Sequence, residues 1–159
     1  MTASAGRLEP SECNGKLNVM LNVHESAVLS SGAAEVWQAI GDFGKLADWH
    51  PAAVTSTLET RAGSIVRVIN ISGGGVLTEK QEAHDDEAMT QSYSIVDGPL
   101  PVSDYHSTIK VIPGDDGTCT VDWTGRFNAN GADDATASKI ISGIYTAGLS
   151  ALKKRFGEA

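Results

Sequence analysis

The sequence predicts an α+β fold in which a seven-stranded antiparallel sheet wraps around one long C-terminal helix, with two short helices after strand 1. Three observations carry this prediction. One extended run opens the patterned part of the chain, six more follow in series with turn-forming residues between them, and the chain closes on apolar residues at three- and four-residue spacing. At 159 residues and 41% hydrophobic content, the chain can build one core of ordinary size.

Residues 1–18 have almost no apolar periodicity and read as a flexible tail, leaving 19–159 as a single domain. Leu21 to Ser30 is extended, and Ser30-Ser31-Gly32 breaks it and offers caps for the next element. Ala33 to Ile40 is a helix with Val36, Trp37 and Ile40 on one face. A Gly41-Asp42-Phe43-Gly44 break leads to a second short helix, Lys45 to Trp49, which Pro51 stops because the residue before proline is pushed out of the α region. The six later strands are Val54 to Thr60, Ser64 to Ile71, Val76 to His84, Met89 to Val96, Val102 to Ile112 and Thr118 to Phe127. Arg61-Ala62-Gly63, Ser72 to Gly75, Asp85-Asp86-Glu87, Asp97 to Pro101 and Pro113 to Gly117 separate them, as an antiparallel meander requires. Asp133 to Phe156 is the long helix, roughly 36 Å at 1.5 Å per residue, with acidic residues at its start and Lys153-Lys154-Arg155 at its end, in agreement with the macrodipole.

Twelve Lys and Arg against twenty Asp and Glu give a formal charge of −8, a field that repels phosphate backbones and anionic membranes. No nucleic-acid or membrane partner is expected, no apolar run has the length of a bilayer span, and the expected location is cytoplasmic. Two cysteines, Cys13 and Cys119, support neither a disulfide framework nor a zinc site. The histidines His24, His50, His84 and His106 lack ligand spacing, so no metal and no cofactor are expected. The triple glycine Gly73 to Gly75 has no helix or Lys-Ser/Thr after it and reads as a mobile hairpin tip, not a phosphate loop.

One helix is too narrow to fill a wide curved sheet, so the two should enclose a space for a small molecule. The chain from Val23 to Phe156 resembles the START-like superfamily, also written SRPBCC. That superfamily contains the birch-pollen-allergen-like proteins and the polyketide cyclase/dehydrase group. The residues that carry the likeness are Ala34 to Trp37 leading into Gly41-Asp42-Phe43, the Trp49-His50-Pro51 corner, Leu77-Thr78-Glu79, Ile95 through Gly98 to Val102, Tyr105, and Gly143-Ile144-Tyr145 in the last helix. The resemblance implies a helix-grip fold and a START-like ligand-binding domain over 19–159. Ser72 to Val111 is also similar to part of the plant abscisic-acid receptors, which implies that Glu79, Tyr93, Tyr105 and Ser107 point inward. Gly73-Gly74-Gly75 and Pro99-Leu100-Pro101 depart from the receptors' gate and latch signatures, so the likeness carries over pocket geometry and not hormone sensing.

Strand parity gives an independent check. Tyr105, Ser107, Ile109 and Val111 share one face, as do Cys119, Val121, Trp123 and Phe127, and the apolar sets must face inward. The same parity lines Leu77, Glu79 and Gln81 on one strand and Gln91, Tyr93 and Ile95 on another. An inward Glu79 loses solvation, which raises its pKa toward neutrality and suits it to acid–base work. The competing reading is a salt bridge from Glu79 to Arg67 across the Ser72 to Gly75 hairpin. Tyr93 and Tyr105 would orient ligand oxygen atoms, or else pack in the core with one satisfied hydroxyl each. Trp49, Arg67, Ser107, Trp123, Ile140, Ile144 and Gly148 complete the expected binding wall, and Gly74, Pro99 and Leu100 the loops that gate it.

These residues point to a protein that binds a small hydrophobic, cyclic or aromatic molecule. Two functions stay open: an enzyme promoting cyclisation, dehydration or a related acid–base step on a polyketide-like metabolite, and a noncatalytic small-molecule or lipid carrier or sensor. An interaction module of the co-chaperone kind is a third. Either a monomer or a homodimer is compatible with the sequence.

Overall fold

The structure, a computed structural model, describes residues 19–159. The tail expected at 1–18, with Cys13, lies outside the described residues. Strand β1 (Leu21–Leu29) leads into helix α1 (Ala33–Ile40) and a 3₁₀ helix, η1 (Phe43–Asp48). Six strands follow: β2 (Ala53–Arg61), β3 (Ser64–Ile71), β4 (Val76–Asp85), β5 (Thr90–Asp97), β6 (Val102–Pro113) and β7 (Cys119–Ala129). Helix α2 (Asp134–Phe156) closes the chain.

The strands form one antiparallel sheet in the order β1-β7-β6-β5-β4-β3-β2, the predicted meander with β1 folded back beside β7. Each expected element is present, and the differences lie at the ends. The second short helix is 3₁₀ and starts two residues earlier than expected, at Phe43, because the Asp42 side chain accepts from the Gly44 N–H at 3.0 Å and tightens the turn there. Strand β5 begins at Thr90 and not Met89, since Met89 sits at φ +51° in the turn.

The inner faces follow the predicted parity. Tyr105, Ser107, Ile109, Val111, Cys119, Val121, Trp123 and Phe127 are all buried. Helix α2 buries Ala137, Ile141, Tyr145, Gly148, Leu149 and Leu152, and its first turn is capped by Asp133, whose carboxylate accepts from the Thr136 N–H at 2.7 Å. That buried stripe lies on β1 and β7. Helix η1 covers β2 instead, pinned there because Ser56 Oγ accepts from the Ala47 N–H at 3.0 Å and donates to the Gly44 carbonyl at 2.9 Å. Neither helix lies squarely over β3 to β6, and the space between them is the interior cavity.

Two glycines let the layers approach. A Cβ at Gly125 in β7 would stand 2.2 Å from the Tyr145 hydroxyl, and one at Gly148 in α2 would stand 2.8 Å from both His50 and Trp123. Among the described residues, no helix is long and apolar enough to cross a membrane, and no cluster of His, Cys, Asp or Glu could hold a metal ion.

Candidate functional site

The cavity is about 90 Å³, counted as the space open to the centre of a water-sized sphere. Leu46, Ile69, Ile71, Leu77, Leu100 and Ile144 make its walls apolar. The polar side chains that reach it are His50, Arg67, Glu79, Tyr93 and Tyr105, with the Trp123 ring beside them.

Arg67 and Glu79 stand directly opposite each other on β3 and β4. Both are buried, and Arg67 Nε and Nη2 each donate to Glu79 Oε1 at 2.8 Å. The guanidinium lies between two aromatic faces, 4.1 Å from the Phe43 centroid and 4.7 Å from that of Tyr93, and its Nη1 donates to the Phe43 carbonyl at 3.3 Å. Arg67 is therefore fixed on every side. Since Oε1 takes both Arg67 bonds, Oε2 is the carboxylate oxygen left for the cavity. Burial pushes the Glu79 carboxyl above its ordinary range, and the charge and hydrogen bonds of Arg67 pull it part of the way back.

A second polar group sits on the neighbouring rows of the sheet, where Ser107 pairs with Tyr93 on one side and Gly125 on the other. Ser107 Oγ donates to the Thr124 carbonyl at 2.9 Å, and it accepts from Tyr145 Oη at 2.9 Å and from Trp123 Nε1 at 3.1 Å. Tyr145 Oη meets Tyr105 Oη at 2.5 Å, and Trp123 Nε1 is also shared with Tyr93 Oη at 3.0 Å. The Tyr145 ring stacks on Trp123 with centroids 4.5 Å apart. Burial raises the pKa of all three tyrosines, so each stays protonated at neutral pH.

His50, at the corner after η1, ties that corner to α2. Its Nε2 donates to the Ile144 carbonyl at 2.8 Å and its Nδ1 accepts from the Ala52 N–H at 3.1 Å, which uses both ring nitrogens in the neutral form. Burial lowers its pKa against the opposing pull of the Ile144 carbonyl. The unfolded chain takes up a proton near pH 6.5 that the folded chain refuses, so the stability His50 contributes is present above that pH and lost as pH falls. His50→Ala is expected to cost about 1–3 kcal/mol at neutral pH, because it leaves the Ala52 N–H without its acceptor and opens a void beside Trp123 and Gly148. It should also flatten the loss of stability between pH 7 and 5 in urea titrations.

A family model described as polyketide cyclase/dehydrase and lipid transport matches residues 20–157. The chain belongs to this family. Among solved structures, the XoxI protein of Bacillus cereus is 34% identical with a TM-score of 0.81, the match covering 86% of this chain and 96% of that one. An aromatase/cyclase from a Streptomyces species is 16% identical with a TM-score of 0.70, over 86% and 93% of the two chains. Norcoclaurine synthase of Thalictrum flavum is 20% identical with a TM-score of 0.65, over 86% and 92%. At those identities the last two show the fold alone, a long helix gripped by an antiparallel sheet. A search among curated proteins returns no match.

In this polyketide cyclase/dehydrase-family chain, seven of the residues singled out in the sequence reach the cavity: Arg67, Glu79, Tyr93, Leu100, Tyr105, Trp123 and Ile144. Ser107 stands behind the tyrosines as their common acceptor. Trp49 is packed behind Trp123, with ring centroids 5.7 Å apart, and its Nε1 is buried with no partner among the described residues. Gly148 makes room for His50 and Trp123 and does not shape the wall itself. Ile140 is a correction: it is 37% exposed on the outer side of α2, because the buried stripe runs through its neighbour Ile141. Gly74 and Pro99 are exposed at the loop tips. The two loops meet, since a Cβ on Gly75 would lie 3.3 Å from Pro99 Cγ. Sequence reasoning left Leu46, Ile69 and Ile71 out of the wall and Tyr145 out of the polar group behind it, and offered His50 only as a residue of the corner. The signal for Tyr145 was a glycine in mid-strand, Gly125, which marks a close approach from another element.

Proposed function

We propose that the protein binds a small hydrophobic, cyclic molecule between the sheet and α2 and promotes an acid–base step on it, of the cyclisation or dehydration kind. The supporting observation is one carboxylate and two phenols converging, beside Arg67 and His50, on a cavity whose remaining walls are apolar. In this reading Glu79 Oε2 takes a proton from a carbon next to a carbonyl, while Tyr93 donates to the carbonyl oxygen and steadies the enolate. Returning the same proton to a departing hydroxyl releases water and completes a dehydration. Tyr105 orients the ring, and the meeting of the two loops at Gly75 and Pro99 closes the mouth.

The cavity as it stands is far below the roughly 300–1,000 Å³ of drug-sized sites, so a ligand of polyketide length needs those loops to part. The second reading, a carrier or sensor, is supported by the Arg67 bonds that hold Glu79 in place. Glu79→Gln separates the two. Under the catalytic reading, turnover falls by about a hundredfold or more while ligand affinity changes by less than about tenfold. Under the carrier reading, the native protein transforms nothing in a panel of cyclic ketones and hydroxyketones although it binds them.

A further inference from the structure

The direction of each hydrogen bond around the cavity can be followed proton by proton. The Thr124 carbonyl can only accept, so the Ser107 proton goes to it. Ser107 Oγ then accepts from Tyr145, whose single proton is used there. Tyr145 Oη must therefore accept from Tyr105, and the Tyr105 proton points away from the cavity. Tyr105 is left with lone pairs alone to offer a ligand. Tyr93 is the opposite case: it accepts from Trp123 Nε1 and stands beside Ser107 Oγ, whose two lone pairs are taken by Tyr145 and Trp123, so its own proton is left for the cavity. Glu79 Oε2 adds a further acceptor, whereas His50 has both nitrogens in use.

The cavity thus shows a guest two acceptor oxygens, Tyr105 Oη and Glu79 Oε2, with the Tyr93 O–H and the Arg67 N–H groups not spent on Glu79 and Phe43 as donors. A guest that can only accept leaves both acceptors stripped of water and unpaired, whereas a hydroxyl satisfies donor and acceptor at once. Charge narrows the choice further. The Arg67 cation is matched by Glu79, so a carboxylate guest would have to share one cation with a second anion in an apolar surround. Size sets the scale at no more than one ring, since a dry cavity of about 150 Å³ takes benzene and this one, at about 90 Å³, must widen where Gly75 meets Pro99 to take one.

We infer that the ligand is an uncharged, hydroxyl-bearing ring compound, a phenol or an enol, held with its oxygen accepting from Tyr93 and its proton given to Tyr105 or Glu79. This rests on the binding reading proposed above and specifies it. The test is calorimetric titration of the full chain with phenol, anisole, toluene and benzoate. Phenol is expected to bind tightest, anisole about threefold to tenfold more weakly for the lost donor, and benzoate at least about a hundredfold more weakly. In Tyr93→Phe, which keeps the ring over Arg67, the advantage of anisole over toluene should disappear. Benzoate matching phenol, toluene matching phenol, or an unchanged anisole advantage in Tyr93→Phe each overturns the inference while leaving the binding reading in place. Failure of all four compounds to bind overturns both.

Discussion

Arg67→Met is expected to lower stability by about 3–5 kcal/mol at neutral pH, a fall in Tm of roughly 6–20 °C for a chain of this size. Removing the guanidinium strands Glu79 as an unpaired carboxylate among Phe43, Tyr93 and the aliphatic wall, with nothing left to oppose the effect of burial. The carboxyl then moves further above its ordinary range. A folded-state pKa raised above the unfolded value makes the penalty grow as pH rises through it, so the deficit of Arg67→Met should shrink on acidification toward pH 5. The double variant Arg67→Met with Glu79→Leu removes both charges and should recover most of the loss. Chemical denaturation at pH 5 and pH 7.5 checks the sign, and a deficit that deepens on acidification contradicts this electrostatic origin.

Gly125→Ala is expected to cost about 1–3 kcal/mol, although it adds only one methyl group to a strand. The new Cβ would lie 2.2 Å from the Tyr145 hydroxyl and 3.1 Å from Cζ, so Tyr145 must withdraw from Ser107 and Tyr105. Tyr145→Phe removes the oxygen that clashes. Combined with Gly125→Ala it should destabilise by less than the sum of the two single changes, a coupling that a double-mutant cycle reads directly. Strict additivity would show that the strand and not the tyrosine absorbs the methyl group.

Much of this was legible in the sequence because strand alternation has a short period and a strong penalty for slipping. One residue of slip would have turned Glu79, Tyr93 and Tyr105 to solvent, and the run of apolar residues sharing their faces fixed the register. The two readings of Glu79, inward carboxylate and partner of Arg67, turn out to be one arrangement, since the ion pair is itself buried at the cavity. Helix phase was harder to read. Ile140, Ile141, Ile144 and Tyr145 form two adjacent stripes, and only the tilt of α2 toward β1 and β7 decides that Ile141 and Tyr145 go under while Ile140 stays out. Hydrogen-bond direction was out of reach, because it depends on Ser107, Thr124, Trp123 and Tyr145 converging from three elements.

The most direct measurement is a methyl-resolved NMR titration of the full chain with phenol. If the interior is a binding site, saturable shifts appear at Leu46, Ile69, Ile71, Leu77 and Ile144, which line it, while the exposed Val28 and Val54 stay still. Shifts confined to the exposed residues, or no saturable shift at any of the five, would show that the space between sheet and helix does not receive a guest.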